Sequence, residues 1–161
     1  MNKDFFDELG EVALGSRLKR LSDRVMQDAS RTYKYSGYEM QPKWFTLMSL
    51  LSEKKEVSIN DAAMYLGQTQ PFISQNSKEM FNVGLVEFSA DPSDARRKIM
   101  KLSKLGRNKN KQMHKLRESV RLAAVSICAE TEHNFYQALK QFEKALERKS
   151  LFERTLENYN D

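Results

Sequence analysis

The sequence predicts a mainly α-helical chain with a small β-hairpin wing: a winged helix-turn-helix carrying long dimerisation helices at its N- and C-terminal ends. Three observations carry that expectation. Two short amphipathic segments meet around Gly67, the arrangement of a helix-turn-helix. The stretch "LVEFS" follows as a strand, turns at Asp91-Pro92, and returns through Lys98–Leu102. Both chain ends repeat apolar residues at three- and four-residue spacing.

Composition narrows the class. The 161 residues suffice for one domain with a true core. We expect a single domain over 1–161, with a winged-helix lobe at about 42–103 and a helical lobe built from about 1–37 and 104–161. Apolar residues make up 40% and charged residues 30%, a globular balance. The net charge of +5 and pI of 9.3 favour polyanionic partners, a weak signal by itself. Cys128 is the single cysteine, so no internal disulfide can form, which fits a reducing cytoplasm. The N-terminus is acidic early and amphipathic, unlike a signal peptide, and no apolar run is long enough to span a membrane. No nucleophile constellation, phosphate loop or paired carboxylates stand out, so an enzyme is not expected, nor a cofactor. His114 and His133 lack metal-ligand spacing, so no metal is expected either.

Each element has local reasons. Leu14, Leu18, Leu21, Val25 and Ala29 mark one helix from about Lys3 to Lys34, loosened at Gly10 and Gly15 and stopped at Gly37. Pro42 opens a short, very apolar helix, "KWFTLMSLLSE". Asn60 is expected to cap the next helix, with Ile59 and Met64 at hydrophobic-staple spacing and Gly67 as a left-handed stop. Thr69 or Gln70 caps the second helix, with Pro71 in its first turn and Gly84 after its end. From Lys104 the chain is helical again. Leu105, Met113, Leu116, Val120, Ala124 and Ile127 form one stripe. Phe135, Leu139, Phe142, Leu146, Phe152 and Leu156 form another, with a break near Ala129–Glu132. These stripes exceed what one chain covers, so a second copy is the expected partner.

The hairpin gives the chemistry. "DPSDARRKIMKLSKLGR" concentrates Arg96, Arg97, Lys98, Lys101, Lys104 and Arg107, with no acid after Asp94. Beside a helix-turn-helix, such a tip suits a DNA wing: the second helix enters a major groove while the wing reaches phosphates or a flanking minor groove. On that helix, Gln70, Phe72, Ser74, Gln75 and Lys78 fall on one side, and Ile73, Met80 and Phe81 fall towards the core. Glutamine can contact adenine in bidentate fashion, and lysine can reach guanine or phosphate. Arg97 and Lys98 are expected phosphate contacts. An ordinary polar helix face and a solvated hairpin are the bland alternatives.

The stretch Ser58–Arg107, with "GLVEF", "DPSDARR" and "LSKLGR", resembles the helix-turn-helix and wing of the multiple antibiotic resistance regulator (MarR) family of bacterial transcription regulators. The resemblance extends over nearly the whole chain. It implies that Arg96 is the wing arginine, braced by Asp91 or Asp94, and that Leu102, Ser103 and Gly106 open the following helix. Asn76 and Ser77 depart from the branched apolar residues usual in the family, and Gln75 stands where arginine is common. The resemblance also implies a small aromatic effector between the lobes, with Tyr33, Tyr38 and Trp44 as the candidate effector pocket and Tyr35 nearby. Simple packing of these rings is the other reading. Cys128 lies on an apolar stripe without clustered His or Lys, so a buried, inert thiol is expected, although some family members sense oxidants by cysteine.

The sequence thus points to a homodimeric regulator that binds a pseudo-palindromic double-stranded operator, acting as a repressor by resemblance. A winged-helix adaptor or antagonist that has lost operator reading is the alternative, motivated by polar Asn76 and Ser77 and by the missing arginine at Gln75.

Overall fold

The computed structural model describes residues 4–91 and 98–160. Asp94, Arg96 and Arg97 lie outside those residues. The chain forms two compact units, one ending at Met113 and the other beginning at His114.

In the first unit, helix α1 (Phe5–Leu9) is capped by Asp4, whose carboxylate accepts the Phe6 N–H at 3.1 Å. Gly10, with φ of +59°, ends it, and a 3-10 turn (Gly10–Ala13) leads into α2 (Leu14–Tyr35). The single helix expected from Lys3 is therefore broken at Gly10, while Gly15 is accommodated without a break. Arg20 ties α1 to α2: its guanidinium reaches Asp4 at 2.6 Å and lies 4.4 Å from the Phe6 ring centroid.

A 3-10 turn (Pro42–Trp44) opens α3 (Phe45–Lys54). Then follow β1 (Glu56–Ser58), α4 (Ile59–Leu66), α5 (Gln70–Asn82), β2 (Val86–Ala90), β3 (Lys98–Leu102) and α6 (Lys104–Gln112). The sheet has the order β1-β3-β2, antiparallel throughout, with Val57 and Phe88 both opposite Met100. The expected two-stranded hairpin thus gains a third strand.

That strand also moves the start of α4. Ser58, not Asn60, is the cap: its Oγ accepts the Asp61 N–H at 3.1 Å and donates to the Asp61 carboxylate at 2.6 Å. Met64 is 74% exposed, so no Ile59–Met64 staple forms; Val57 and Ala62, at staple spacing about Ser58, are the buried pair.

The core gathers Trp44, Leu47, Met48 and Leu51 with Ile73, Met80, Leu85, Met100, Leu102 and Met113. Burial of this face, worth about 1.5–3 kcal/mol per large side chain, is what fixes α5 and the sheet to α3. The end of the hairpin is tightly joined to α6. Ser103 donates its N–H to Leu85 O at 3.0 Å and its hydroxyl to Gly84 O at 2.5 Å, while accepting the Gly106 N–H at 3.0 Å. Gly106 is buried against Leu85, whose carbonyl oxygen would lie 2.1 Å from an added Cβ. The Leu102-Ser103-Gly106 pattern is therefore a packing requirement.

The second unit holds α7 (His114–Ala129), α8 (Phe135–Arg148) and α9 (Leu151–Asn160). Asn134 caps α8 after the expected break. A further break divides the second apolar stripe: Ser150 and Glu153 form a reciprocal capping box, with Ser150 N–H to Glu153 Oε2 at 2.7 Å and Glu153 N–H to Ser150 Oγ at 3.2 Å. Among the described residues none of this unit is buried, and Ile127, Leu151 and Phe152 are 64%, 70% and 69% exposed.

Candidate nucleic-acid interface

Helix α5 is set by its ends and its apolar stripe. Thr69 Oγ1 accepts the Phe72 N–H at 3.3 Å, Pro71 sits in the first turn where no N–H is needed, and Val83-Gly84 close the helix. Ile73, Asn76, Ser77 and Met80 are buried, a 3-1-3 spacing that defines the inward face. Gln70, Phe72, Ser74, Gln75 and Lys78 are all exposed on the rest of the helix.

One expectation about this helix changes. Phe81 does not face the core; it is 51% exposed and pairs with the Phe88 ring at 5.5 Å between centroids. Asn76 and Ser77, the two departures from branched apolar residues, are buried with Ile73 and Met80. Ser77 donates to Ser74 O at 2.9 Å, satisfying its hydroxyl within the helix, and Asn76 Nδ2 approaches Lys43 O at 3.5 Å.

The start of α5, the start of α4 and the first residue of β3 line one groove. It brings together Gln70, Ser74 and Lys98, and adds Asn60, a residue whose sequence position suggests only a cap. Phe72, Gln75 and Lys78 lie on the exposed helix outside that lining. Asp91 is half-buried. The brace Asp94 and the cations Arg96 and Arg97 fall outside the described residues.

Glu79 is the residue that sequence reasoning missed. Its carboxylate receives Lys43 Nζ at 2.6 Å, Gln75 Nε2 at 3.0 Å and Trp44 Nε1 at 3.1 Å. The Lys43 ammonium, then the Gln75 amide and the Trp44 indole N–H, hold the Glu79 carboxyl at about 2. Gln75 is thereby fixed through one side of its amide, leaving its carbonyl oxygen and second N–H available to a ligand. The i to i+4 spacing of Gln75 and Glu79 was the available signal.

Trp44, with 4% exposure, is a core residue whose indole N–H is already committed to Glu79. Tyr33 and Tyr38 pack partly buried against the same core, and Tyr38 donates its hydroxyl to Gln112 O at 2.9 Å. Tyr35 is 94% exposed and stands apart. Cys128 is half-buried rather than buried, beside Arg121, Val125 and Tyr136, because the stripe it belongs to is itself exposed. Among the described residues no three His, Cys, Asp or Glu side chains converge as metal ligands, and no helix is long and apolar enough to cross a membrane.

No protein-family model matches the chain, and no curated protein does. Solved structures do. The Staphylococcus aureus MepR–DNA complex matches with a TM-score of 0.69 at 20% identity, over 84% of this chain and 96% of that one. A point mutant of Escherichia coli MarR complexed with operator DNA matches with a TM-score of 0.65 at 18% identity, over 89% and 99%. Bordetella bronchiseptica BpsR, a protein whose DNA binding is regulated by 6-hydroxynicotinic acid, matches with a TM-score of 0.67 at 18% identity, over 81% and 91%. At these identities the likeness is one of fold: the chain has a MarR-type winged-helix fold.

Proposed function

We propose that the chain is a homodimeric, sequence-specific regulator of transcription that binds a pseudo-palindromic double-stranded operator in the cytoplasm. The 42–103 lobe reads DNA and the helices of 1–37 and 104–161 join two copies. The observation that carries this reading is the convergence of Gln70, Ser74 and Lys98, from the recognition helix and the start of β3, on one groove beside the exposed face of α5. Helix residues supply amide and hydroxyl contacts to base edges, and Lys98 supplies charge for phosphate. DNA in two of the similar structures supports the same reading. Repression relieved by a small aromatic effector, with Arg96 and Arg97 on the wing, completes the proposal by analogy with the family.

The adaptor alternative draws on polar Asn76 and Ser77. Their inward placement removes them from the surface that would meet DNA, and so weakens that motive. Selection of bound duplexes from a random pool tests the reading. An enriched motif with two half-sites about one helical turn apart supports a dimeric regulator. Recovery of no motif, with early elution from heparin, overturns it in favour of the adaptor. Gln75→Ala should lower discrimination between operator variants by about 1–3 kcal/mol if its amide reads a base.

A further inference from the structure

The basic stretch that ends at Arg107 is larger than the DNA reading needs. Lys101 and Arg107 turn to a different place: a cavity of about 310 Å³ in the first unit, formed by the end of α3, β1, β3 and one side of α6. Lys55 and Lys111 also line it, against one carboxylate, Glu56. A volume near 300 Å³ is the lower range of small-molecule sites.

Gathering four cations around a concavity is unfavourable unless something offsets their repulsion. Among the described residues none of the four forms an ion pair. Lys101 stands opposite both Glu56 and Glu87 in the β-ladder, yet pairs with neither. Arg107 is anchored through one guanidinium nitrogen to Leu102 O at 2.7 Å, which orients the group and leaves its other N–H donors unused. Asn110 donates to Ser52 Oγ at 2.8 Å, fixing α6 against α3 across the cavity. Lys55 adds a backbone signal. Its φ of 70° and ψ of −54° are the geometry of a positive-φ γ-turn, strained for a residue with a Cβ, and few other described non-glycine residues have positive φ. The Lys55 ammonium bonds Ser52 O at 3.1 Å, so the strained turn places a cation at the rim.

We propose that this cavity binds a small multivalent oxyanion of the phosphate-ester or polyphosphate kind. Cations approach from α3, β3 and α6, three directions that suit a tetrahedral phosphate better than a planar carboxylate. A cleft lined by one sign of charge concentrates such ligands. Glu56 faces the same space and selects for a ligand carrying a hydroxyl or amine donor beside its anionic group. The site stands whether or not the chain binds DNA.

Inorganic pyrophosphate, titrated into the full chain by calorimetry at constant ionic strength, is the test. Saturable binding is expected, with malonate at least tenfold weaker. The double substitution Lys101→Gln, Lys111→Gln should weaken pyrophosphate at least tenfold, and Glu56→Gln should tighten it several-fold, a gain that misfolding cannot produce. Absence of saturable binding overturns the proposal, as does malonate binding as tightly as pyrophosphate. It is equally overturned if the double substitution spares pyrophosphate but lowers affinity for duplex DNA, since the cations would then belong to the nucleic-acid surface.

Discussion

The two units of this chain bury their apolar residues very differently. In the winged-helix lobe, Leu47, Leu51, Ile73, Met80 and Met100 are at most 1% exposed, and one core serves both the helices and the sheet. In the helices after Met113, the apolar positions recur just as regularly, yet Val120, Phe142, Leu146 and Leu156 remain 47%, 39%, 39% and 43% exposed. The same periodicity thus has two outcomes. The winged-helix lobe buries its stripe within one chain, whereas the helices after Met113 leave theirs exposed, and that exposed stripe is the face to which the proposed dimer assigns a second copy.

The largest effect should come from attacking that exposed stripe. Light scattering at micromolar concentration should give twice the 18.8 kDa chain mass. Phe142→Ser with Leu146→Ser should weaken assembly by about 2–5 kcal/mol per dimer, because each side chain is 39% exposed and a partner can bury only that remainder. A wild-type chain that stays monomeric and soluble would break the comparison outright.

The complete lobe should respond to steric insult instead. Gly106→Ala sets a Cβ against the Leu85 carbonyl and should cost about 1–3 kcal/mol in denaturant melts, the range for overpacked sites. Gly15→Ala, in the first turn of α2 with no atom within 4 Å of the new Cβ, should do the reverse, stabilising by about 0.4–1 kcal/mol. Equal effects at the two glycines would sink the packing account of the Ser103–Gly106 junction.

The wing should matter only to binding. If Arg97 contacts phosphate, Arg97→Ala should flatten the plot of log affinity against log salt by about 0.9 per lost contact, hence about 1.8 for a dimer, with the selected motif unchanged. An unaltered slope removes Arg97 from the interface.

The smallest effect concerns Glu79. Its carboxyl titrates at about 2 in the folded chain against an ordinary 4.5, so folding favours the charged form. That contribution is complete above about pH 4.5 and is lost as pH falls towards 2. Glu79→Gln should flatten the dependence of stability on pH within that window. A slope unchanged by the substitution would show that the carboxylate is not held by its three donors.

Much of this architecture is legible in the residues themselves. Gly67 and Gly84, both at positive φ, punctuate the helix-turn-helix where the sequence pattern predicts. Thr69 caps α5, and the hairpin strands lie on either side of the Asp91-Pro92 turn signal. The misses have physical causes. β1 is three residues long, too short for alternation to register, and it exists because β3 offers a free edge later in the chain. Recruiting residues 56–58 into the ladder is what shifts the cap from Asn60 to Ser58. The sequence pattern assigns Asn76 and Ser77 to neither face of α5, because their polarity hides a spacing from Ile73 and Met80 that is that of a core stripe. The Ser150–Glu153 box is legible as S-x-x-E but is masked by an apolar pattern that runs on through it. Of the site, the exposed face of α5 is legible; the Glu79 network depends on Lys43 and Trp44, more than thirty residues distant, and local pattern cannot reveal it.

The strand order β1-β3-β2 has a consequence for how the chain is made. The middle strand is the last of the three to be synthesised, so β1 and β2 have no partner in common until Leu102 has emerged. A nascent chain ending before Lys98 holds the whole helix-turn-helix, yet leaves Val57 and Val86 uncovered and two strand edges bare. Helix α5 therefore cannot be excised as a minimal folded piece: its support arrives after it, and any fragment that stops at the hairpin should be captured by chaperones or aggregate rather than fold.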